Sequence, residues 1–265
     1  MKLPRMSVLF IGLTLGLTAV FHGLLAVFTQ RDLFTLSSGL GWLLLIAGGS
    51  VPTVIAFVLI HRQKDPLHQT FFYRSLTRFR FPFNEIAYAL AIPILLGILA
   101  LFVRRALYGT PWVVFDLQPV YLFPLFLLSG IFLGGLEEVG WRGYLQHKLI
   151  RWPALPLALF IGIIWAIWHV PLFFVIGSGQ SEYAFLPYLL QAIVFSLFLT
   201  GLYLKTGSIV LTILFHASVN AAASLGLAPV FAHTVGTYLY LVLAGFVGVI
   251  SLLAIEKAVR LNSSD

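Results

Sequence analysis

The chain has 265 residues, of which 60% are hydrophobic and 9% are charged. Soluble domains carry about 25% charged residues, so this composition excludes an ordinary soluble domain and predicts a multi-pass integral protein of the cell membrane. The net charge of +7 does not indicate a nucleic-acid partner, because the basic residues lie in short loops between apolar runs, and the absence of cysteine excludes disulfides and thiol catalysis.

Apolar runs long enough to cross a bilayer, which takes roughly 20 residues, occur eight times along the chain. The first run is too long, and too weakly followed by a cleavage site, to be a removable signal peptide. The predicted fold is all-α, a bundle of about eight transmembrane helices forming a single membrane domain, residues 1–265. The predicted spans are Ser7–Phe28, Gly41–Ile60, Ile86–Val103, Val120–Leu136, Pro156–Ile176, Leu186–Leu204, Ser208–Gly226 and Val235–Ile255.

The loops between these spans differ in basic residues. With a cytoplasmic N-terminus and eight spans, thirteen Lys and Arg residues face the cytoplasm and three face the other side. Because cytoplasmic loops are enriched in Lys and Arg, this asymmetry predicts that both termini are cytoplasmic. The largest group lies in His61–Asn84, where five basic residues alternate with aromatics, which is typical of an interfacial loop in the lipid headgroup layer.

Two adjacent glutamates, Glu137 and Glu138, end the fourth run. No proline follows these glutamates until Pro153, which predicts that the helix continues to about Leu149. A charge buried in the bilayer costs at least a few kcal/mol unless it is paired. Arg142 lies four residues after Glu138 on the same helix face and is predicted to pair with it. Glu137 points about 100° away and has no such partner in its own helix, so it is the glutamate left free for chemistry.

Histidines lie within the fifth and seventh runs. His169 is predicted to lie well inside its helix, and Pro171 predicts a kink near it, because proline removes a backbone hydrogen bond one turn back. His216 and Asn220 are four residues apart and share one face. At about 1.5 Å per residue, the depths of Glu137, His169 and His216 overlap. These side chains are therefore expected to meet in one cavity on the cytoplasmic half of the membrane.

Three short motifs follow one another along these spans, within a core of residues 120–226. Together they resemble the CAAX protease and bacteriocin-processing family of intramembrane proteases, which includes the Ras-converting CAAX endoprotease. The chain departs from the family in having tryptophan at position 165, where phenylalanine is usual. The motifs are Glu137-Glu138-x-x-x-Arg142, Trp165-x-x-x-His169 and His216-x-x-x-Asn220.

The resemblance implies an intramembrane endopeptidase. Peptide hydrolysis needs an activated water and a stabiliser for the developing oxyanion. In this interpretation Glu137 is the general base and His169 holds and polarises the water. His216 and Asn220 donate hydrogen bonds to the oxyanion. Three residues support the site: Glu138, Arg142 and the packing residue Trp165.

A metal-dependent mechanism uses the same side chains. Two histidines and a carboxylate with an open position form a known zinc set, which here would be Glu137, His169 and His216. The sequence leaves both mechanisms open, and we favour water activation without an obligatory metal or other cofactor. The expected partners are membrane lipids and a peptide or membrane-protein substrate, with or without a lipid modification. No nucleic acid is expected.

Two other classes of function are compatible with the sequence. A proton or ion transporter would use Glu137, Glu138 and His169 as a relay, but the repeated halves typical of transporters are not seen. A membrane immunity or scaffold protein would keep the fold without catalysis, but would not need His216 and Asn220 deep in the bilayer. The sequence does not identify the substrate, and leaves bacteriocin maturation, self-immunity and signalling open.

Overall fold

The computed structural model describes residues 3–63, 65–110, 117–227 and 232–262. Within these ranges the chain is helical and contains no strand. The α-helices described are α1 (Arg5–Gln30), α2 (Gly39–Arg62), α3 (Pro66–Thr77), α4 (Phe83–Tyr108), α5 (Phe123–Phe132), α6 (Ala154–Trp168), α7 (Phe185–Thr206), α8 (Ile209–Ala222) and α9 (Val235–Asn262).

Seven described helices are long and apolar enough to cross a membrane: α1, α2, α4, α7 and α9, together with α6 and α8 when each is continued by the helical turns after it, to Phe174 and Leu227. There are eight spans if the bent pair Val120–Phe132 and Gly135–Gln146 counts as one. The all-α fold with about eight spans is therefore confirmed. Many large apolar side chains lie exposed on the outer faces of these helices, as expected for a protein whose solvent is lipid.

The fourth span is broken, and the prediction of one continuous helix to about Leu149 is wrong. After α5 the chain turns at Leu133–Gly134, forms a 3₁₀ turn at Gly135–Glu137 and continues as a π-helix at Val139–Gln146. The two halves are bent by 40°. Two consecutive glycines weaken the helix at this point, and they allow close packing against α8, since a Cβ on Gly135 would lie 3.0 Å from the carbonyl oxygen of Ile213.

The end of α6 also differs from the prediction. His169 does not lie inside a continuous α-helix, because α6 ends at Trp168 and a 3₁₀ helix, Val170–Phe174, continues the span. Pro171 explains the change, since it cannot donate a backbone hydrogen bond and disfavours helical geometry in the residue before it. His169 therefore occupies the junction between two helix types.

The N-terminal hairpin of α1 and α2 packs against the π-helix. Pro52 lies inside α2 and leaves the carbonyl of Gly48 without its helical donor. The hydroxyl of Thr18 in α1 donates to that carbonyl at 3.0 Å, which satisfies it inside the bilayer. A Cβ on Gly140 would lie 2.5 Å from the carbonyl oxygen of Pro52, so α2 and the π-helix are in backbone contact.

The segment predicted as an interfacial loop contains the short helix α3. Asp65 caps it, accepting a hydrogen bond from the backbone N–H of His68 at 3.1 Å. The imidazole of His68 stacks on that of His147 at 4.5 Å between ring centroids. Arg78, just beyond α3, donates to the carbonyl of Thr206 at 3.1 Å, so α3 lies at the end of the bundle where α7 terminates.

Candidate active site

Glu137 ends the 3₁₀ turn of the broken span, and its carboxylate is buried. Its Oε2 accepts a hydrogen bond of 3.1 Å from the indole Nε1 of Trp165 in α6. No hydrogen bond to its Oε1 is found among the described residues. The sequence left Glu137 without a partner in its own helix, and the partner comes instead from a neighbouring helix.

Glu138 is fully buried and holds two partners. Its Oε2 lies 3.1 Å from Nε of Arg142, so the predicted pair is confirmed. Its Oε1 lies 2.9 Å from Nδ1 of His216 in α8. The carboxylate accepts, so Nδ1 carries the proton. This second contact joins positions 78 residues apart and has no signal in the sequence.

Arg142 completes this buried network. Its side chain is fully buried, and Nη2 lies 3.5 Å from the hydroxyl of Ser196 in α7. A guanidinium in the interior is stable only when paired. Glu138, Arg142 and Ser196 therefore tie the π-helix to α7, while the contact of Glu138 with His216 ties it to α8.

His169 is oriented by its own helix. Its Nδ1 lies 2.8 Å from the carbonyl oxygen of Trp165. A carbonyl can only accept a hydrogen bond, so Nδ1 carries the proton and Nε2 has a free lone pair in the neutral ring. The ring of Trp165 also lies 5.3 Å from that of His216 and 5.5 Å from that of His169, between centroids. Trp165, predicted only as a packing residue, thus contacts three of the candidates.

His216 and Asn220 converge beside Gly134. A Cβ built on Gly134 would lie 2.5 Å from Nδ2 of Asn220 and 3.0 Å from Nε2 of His216. The two nitrogens therefore lie near each other, both packed against Gly134. The structure thus brings Glu137, His169, His216 and Asn220 together around the break in the fourth span. The sequence indicates close helix packing at Gly134 but assigns it no role at the site, where it lets both side chains approach the break.

Two cavities adjoin these residues. One, of about 230 Å³, is lined by Glu137, His169 and residues of α1 and α2, including His22. The other, of about 220 Å³, is lined by His169, His216, Asn220 and residues of α4, α7 and α9. Leu133, His169 and Gln180 line both cavities. The candidate residues therefore lie along a partition between two spaces.

The cavities lie toward the N-terminal end of α7. Gln180, in the turn between α6 and α7, lines both of them, and Tyr188 near the start of α7 lines one. Thr206, which contacts the α3 segment, is about 27 Å further along α7 at 1.5 Å per residue. The Lys and Arg distribution predicts that the α3 end is cytoplasmic. The sequence predicted both that the termini are cytoplasmic and that the cavity opens to the cytoplasmic half of the membrane. In this structure the two predictions cannot both hold, because the cavities lie at the end of α7 opposite to α3.

The conditional zinc set does not form a metal site here. Among the described residues, no group of three or more His, Cys, Asp or Glu side chains is arranged to hold a metal ion. Nδ1 of His169 and Nδ1 of His216 are engaged by Trp165 and Glu138, and one oxygen of Glu137 is engaged by the indole of Trp165. These contacts leave Nε2 of both histidines and Oε1 of Glu137 unengaged, so the donor atoms suit a metal, but the described side chains are not gathered around one point.

Comparison with known proteins agrees with the resemblance indicated by the three motifs. Residues 119–222 match the model of the family described as type II CAAX prenyl endopeptidase Rce1-like. The predicted resemblance is confirmed. The chain is also similar to CAAX prenyl protease 2 of Methanococcus maripaludis, with 37% identity over 113 residues, which are 40% of this chain and 40% of the relative. The chain thus matches less than half the length of this CAAX protease relative. The residues matched by the family model, 119–222, nearly coincide with the predicted core, 120–226.

Proposed function

We propose that this protein is an intramembrane endopeptidase that hydrolyses a peptide bond with water activated by Glu137 and His169. The observation that carries the proposal is that Nε2 of His216 and Nδ2 of Asn220 lie near each other beside Gly134, in residues that line one cavity. Two neighbouring donors at the wall of a cavity can stabilise an oxyanion. A relay of protons would not need such a pair, which argues against the transporter alternative.

Water activation follows from the other two candidates. Nε2 of His169 has a lone pair that can accept a hydrogen bond from a water molecule, and Oε1 of Glu137 is free to take its proton. As Glu137 takes the proton, the water oxygen bonds to the scissile carbonyl carbon and the carbonyl oxygen becomes the oxyanion. When the oxyanion collapses and the C–N bond breaks, Glu137 gives the proton to the leaving amine. His169 and Glu137 line the same cavity, which supports their acting on one water molecule.

The buried network positions the donors. His216 donates from Nδ1 to Glu138, which fixes the ring so that Nε2 faces the site. A doubly protonated imidazole beside this carboxylate donates from both nitrogens, one to Glu138 and the other to the oxyanion. Arg142 balances the charge of Glu138. Glu138 and Arg142 are therefore positioning residues in this proposal, and Glu137, His169, His216 and Asn220 are catalytic residues.

The substrate is a peptide or membrane protein that reaches the two cavities, and the core of residues 120–226 carries the catalytic residues. The name of the archaeal relative points to prenylated CAAX proteins as the first substrates to try. We propose also that the substrate carries a lipid modification and that the protein works in the cell membrane.

Glu137→Gln tests the proposal, since it keeps the shape of the side chain and removes the base. Loss of a general base costs about 10²–10⁴-fold in rate. We expect cleavage of a farnesylated CAAX peptide in proteoliposomes to fall by that factor, and new protein N-termini in the membrane proteome to disappear. Glu182→Gln, a change of the same kind at an exposed glutamate, is the matched control. Wild-type rates in purified Glu137→Gln would remove Glu137 from the mechanism.

A further inference from the structure

A third cavity lies away from the candidate active site, at the end of the bundle that carries α3. It has a volume of about 560 Å³ and lies between α4, α7 and α9. Glu85, in the first turn of α4, and Lys205, in the last turn of α7, both line it. The hydroxyl groups of Tyr88 and Ser251 also line it and lie 3.2 Å apart, so α4 and α9 are joined there.

Glu85 has an unsatisfied atom in this cavity. Its side chain is 9% exposed, and its Oε2 has no hydrogen-bond partner among the described residues. A buried carboxylate oxygen without a donor is costly, so we expect its partner to come from outside the protein, as a water molecule, an ion or a bound ligand. The missing partner must be a hydrogen-bond donor, because a carboxylate can only accept.

Lys205 supplies the opposite charge without neutralising Glu85. Both line the same cavity, but they do not form an ion pair with each other in the described structure. A ligand that carries both a cation and an anion could contact both residues at once. A free cation would satisfy Glu85 but would leave Lys205 without a counter-charge.

The remaining walls of the cavity are apolar and reach the lipid-facing surface. Ala254, Ala258 and Val259 of α9 line the cavity and are exposed. The ligand therefore has an apolar part that lies along α9, while its polar part lies at the end of the bundle. This is the arrangement of a phospholipid whose headgroup lies at the interface.

We propose that this cavity binds an aminophospholipid of the phosphatidylethanolamine class. Its primary ammonium donates to Oε2 of Glu85, its phosphate lies against Lys205, and an acyl chain follows α9. A choline headgroup has no N–H to donate to Glu85. A headgroup that is only anionic meets Lys205 but is repelled by Glu85. The N–H donors therefore determine which lipid is bound.

The test measures which lipids remain bound to the purified full-length protein. The protein is reconstituted in nanodiscs with equal amounts of phosphatidylethanolamine, phosphatidylcholine and phosphatidylglycerol of matched chains, and released for native mass spectrometry. Because a charge-assisted hydrogen bond distinguishes the headgroups, we expect retention of phosphatidylethanolamine to exceed that of the others by about tenfold. Equal retention of the three lipids, or preference for phosphatidylcholine or phosphatidylglycerol, would overturn the proposal.

Variants assign the preference to the cavity. Glu85→Gln has the shape of the native residue and should remove the preference for phosphatidylethanolamine. The exposed Glu182→Gln should keep it. Lys205→Ala, at an exposed position, should reduce total lipid retention while the order among lipids is kept. If Glu85→Gln folds normally and keeps the preference unchanged, the lipid binds elsewhere and the proposal is wrong. None of these measurements depends on peptidase activity.

Discussion

Glu137 and Glu138 are neighbours in the sequence but have different environments. One carboxylate accepts a hydrogen bond from an indole and lines a cavity. The other has no exposure and is held between Arg142 and His216. Adjacent residues on a helix point about 100° apart, so one faces the space between α1, α2 and α6 while the other faces α7 and α8. This separation allows one glutamate to be reactive while the other is structural.

Removing Arg142 should lower the stability of the protein. Arg142→Ala leaves Glu138 buried without its cation, and losing one partner of a buried pair costs about 3–5 kcal/mol. We expect a lower folded yield and a lower midpoint of thermal unfolding in detergent. Arg260 makes an equally spaced pair with Glu256 on the surface, and Arg260→Ala should cost about 0.3–0.5 kcal/mol. Equal stability of the two variants would contradict a structural role for the buried pair.

Gly134 offers a separate test of the donor pair. A methyl group there would lie 2.5 Å from Nδ2 of Asn220 and 3.0 Å from Nε2 of His216, so Gly134→Ala should displace the two donors from their present positions. Loss of one oxyanion donor costs about 10²–10³-fold in kcat, and we expect a loss of that order with the protein still folded. Gly16→Ala, where a Cβ meets nothing within 4 Å, should keep wild-type kcat. Unchanged kcat in Gly134→Ala would show that this donor pair is not used.

At the level of elements, the sequence predicted which helices carry the site but not how they end. Apolar length located the spans, and the i, i+4 rule found the pair of Glu138 with Arg142. The break at Gly134 was missed although the Gly134–Gly135 pair weakens the helix there, and the π-helix was missed because no local pattern marks it. The contacts of Glu138 with His216 and of Glu137 with Trp165 were missed for the same reason, since each joins different helices.

Helix α3 is held by a stack that should respond to pH. Burial, with nearby Lys148 and His147, lowers the pKa of His68 to about 4 from its ordinary value of 6.5, although Asp65 raises it. Burial, with Lys148, also lowers the pKa of His147. The neutral stack therefore stabilises the protein fully above about pH 6.5, and this contribution is lost as the pH falls toward 4.

Hydrogen exchange can measure this effect. We expect the backbone amides of α3 to exchange faster at pH 5 than at pH 7, after correction for the intrinsic rate, while α7 does not change. His68→Phe keeps a ring at the stack and removes one titrating group, so it should show a smaller change. An α3 that exchanges equally at both pH values would show that the stack does not hold it.

On the scale of the whole molecule, the orientation in the membrane is the main open prediction. The Lys and Arg distribution places α3 in the cytoplasm, and the structure places the two site cavities at the opposite end of α7. The absence of native cysteine makes labelling of single cysteines direct. Phe79 is 73% exposed, so labelling of Phe79→Cys shows on which side of the membrane the α3 end lies. Glu182→Cys reports the turn between α6 and α7.

We expect an impermeant maleimide added to intact cells to label Glu182→Cys and to leave Phe79→Cys unlabelled until the membrane is opened. That result would agree with cytoplasmic termini and would place the cavities on the outer side. The reverse pattern would show that the termini are outside and that the cavities open toward the cytoplasm. Labelling of both positions from one side would contradict the transmembrane arrangement of α7.

The partition between the two cavities limits the shape of any segment that can be cut. In the proposed mechanism the scissile bond lies against His169 with the substrate chain extending into both spaces, and its carbonyl is free to meet Asn220. In an α-helix that carbonyl already accepts a hydrogen bond from the N–H four residues further along the chain. The side chains around it widen the helix to a diameter of about 10 Å. A membrane-spanning substrate must therefore unwind before it is cleaved. We expect cleavage sites to occur where glycine, proline or a chain terminus makes unwinding easy, so that selection depends on the helix propensity of the substrate as well as on its side chains.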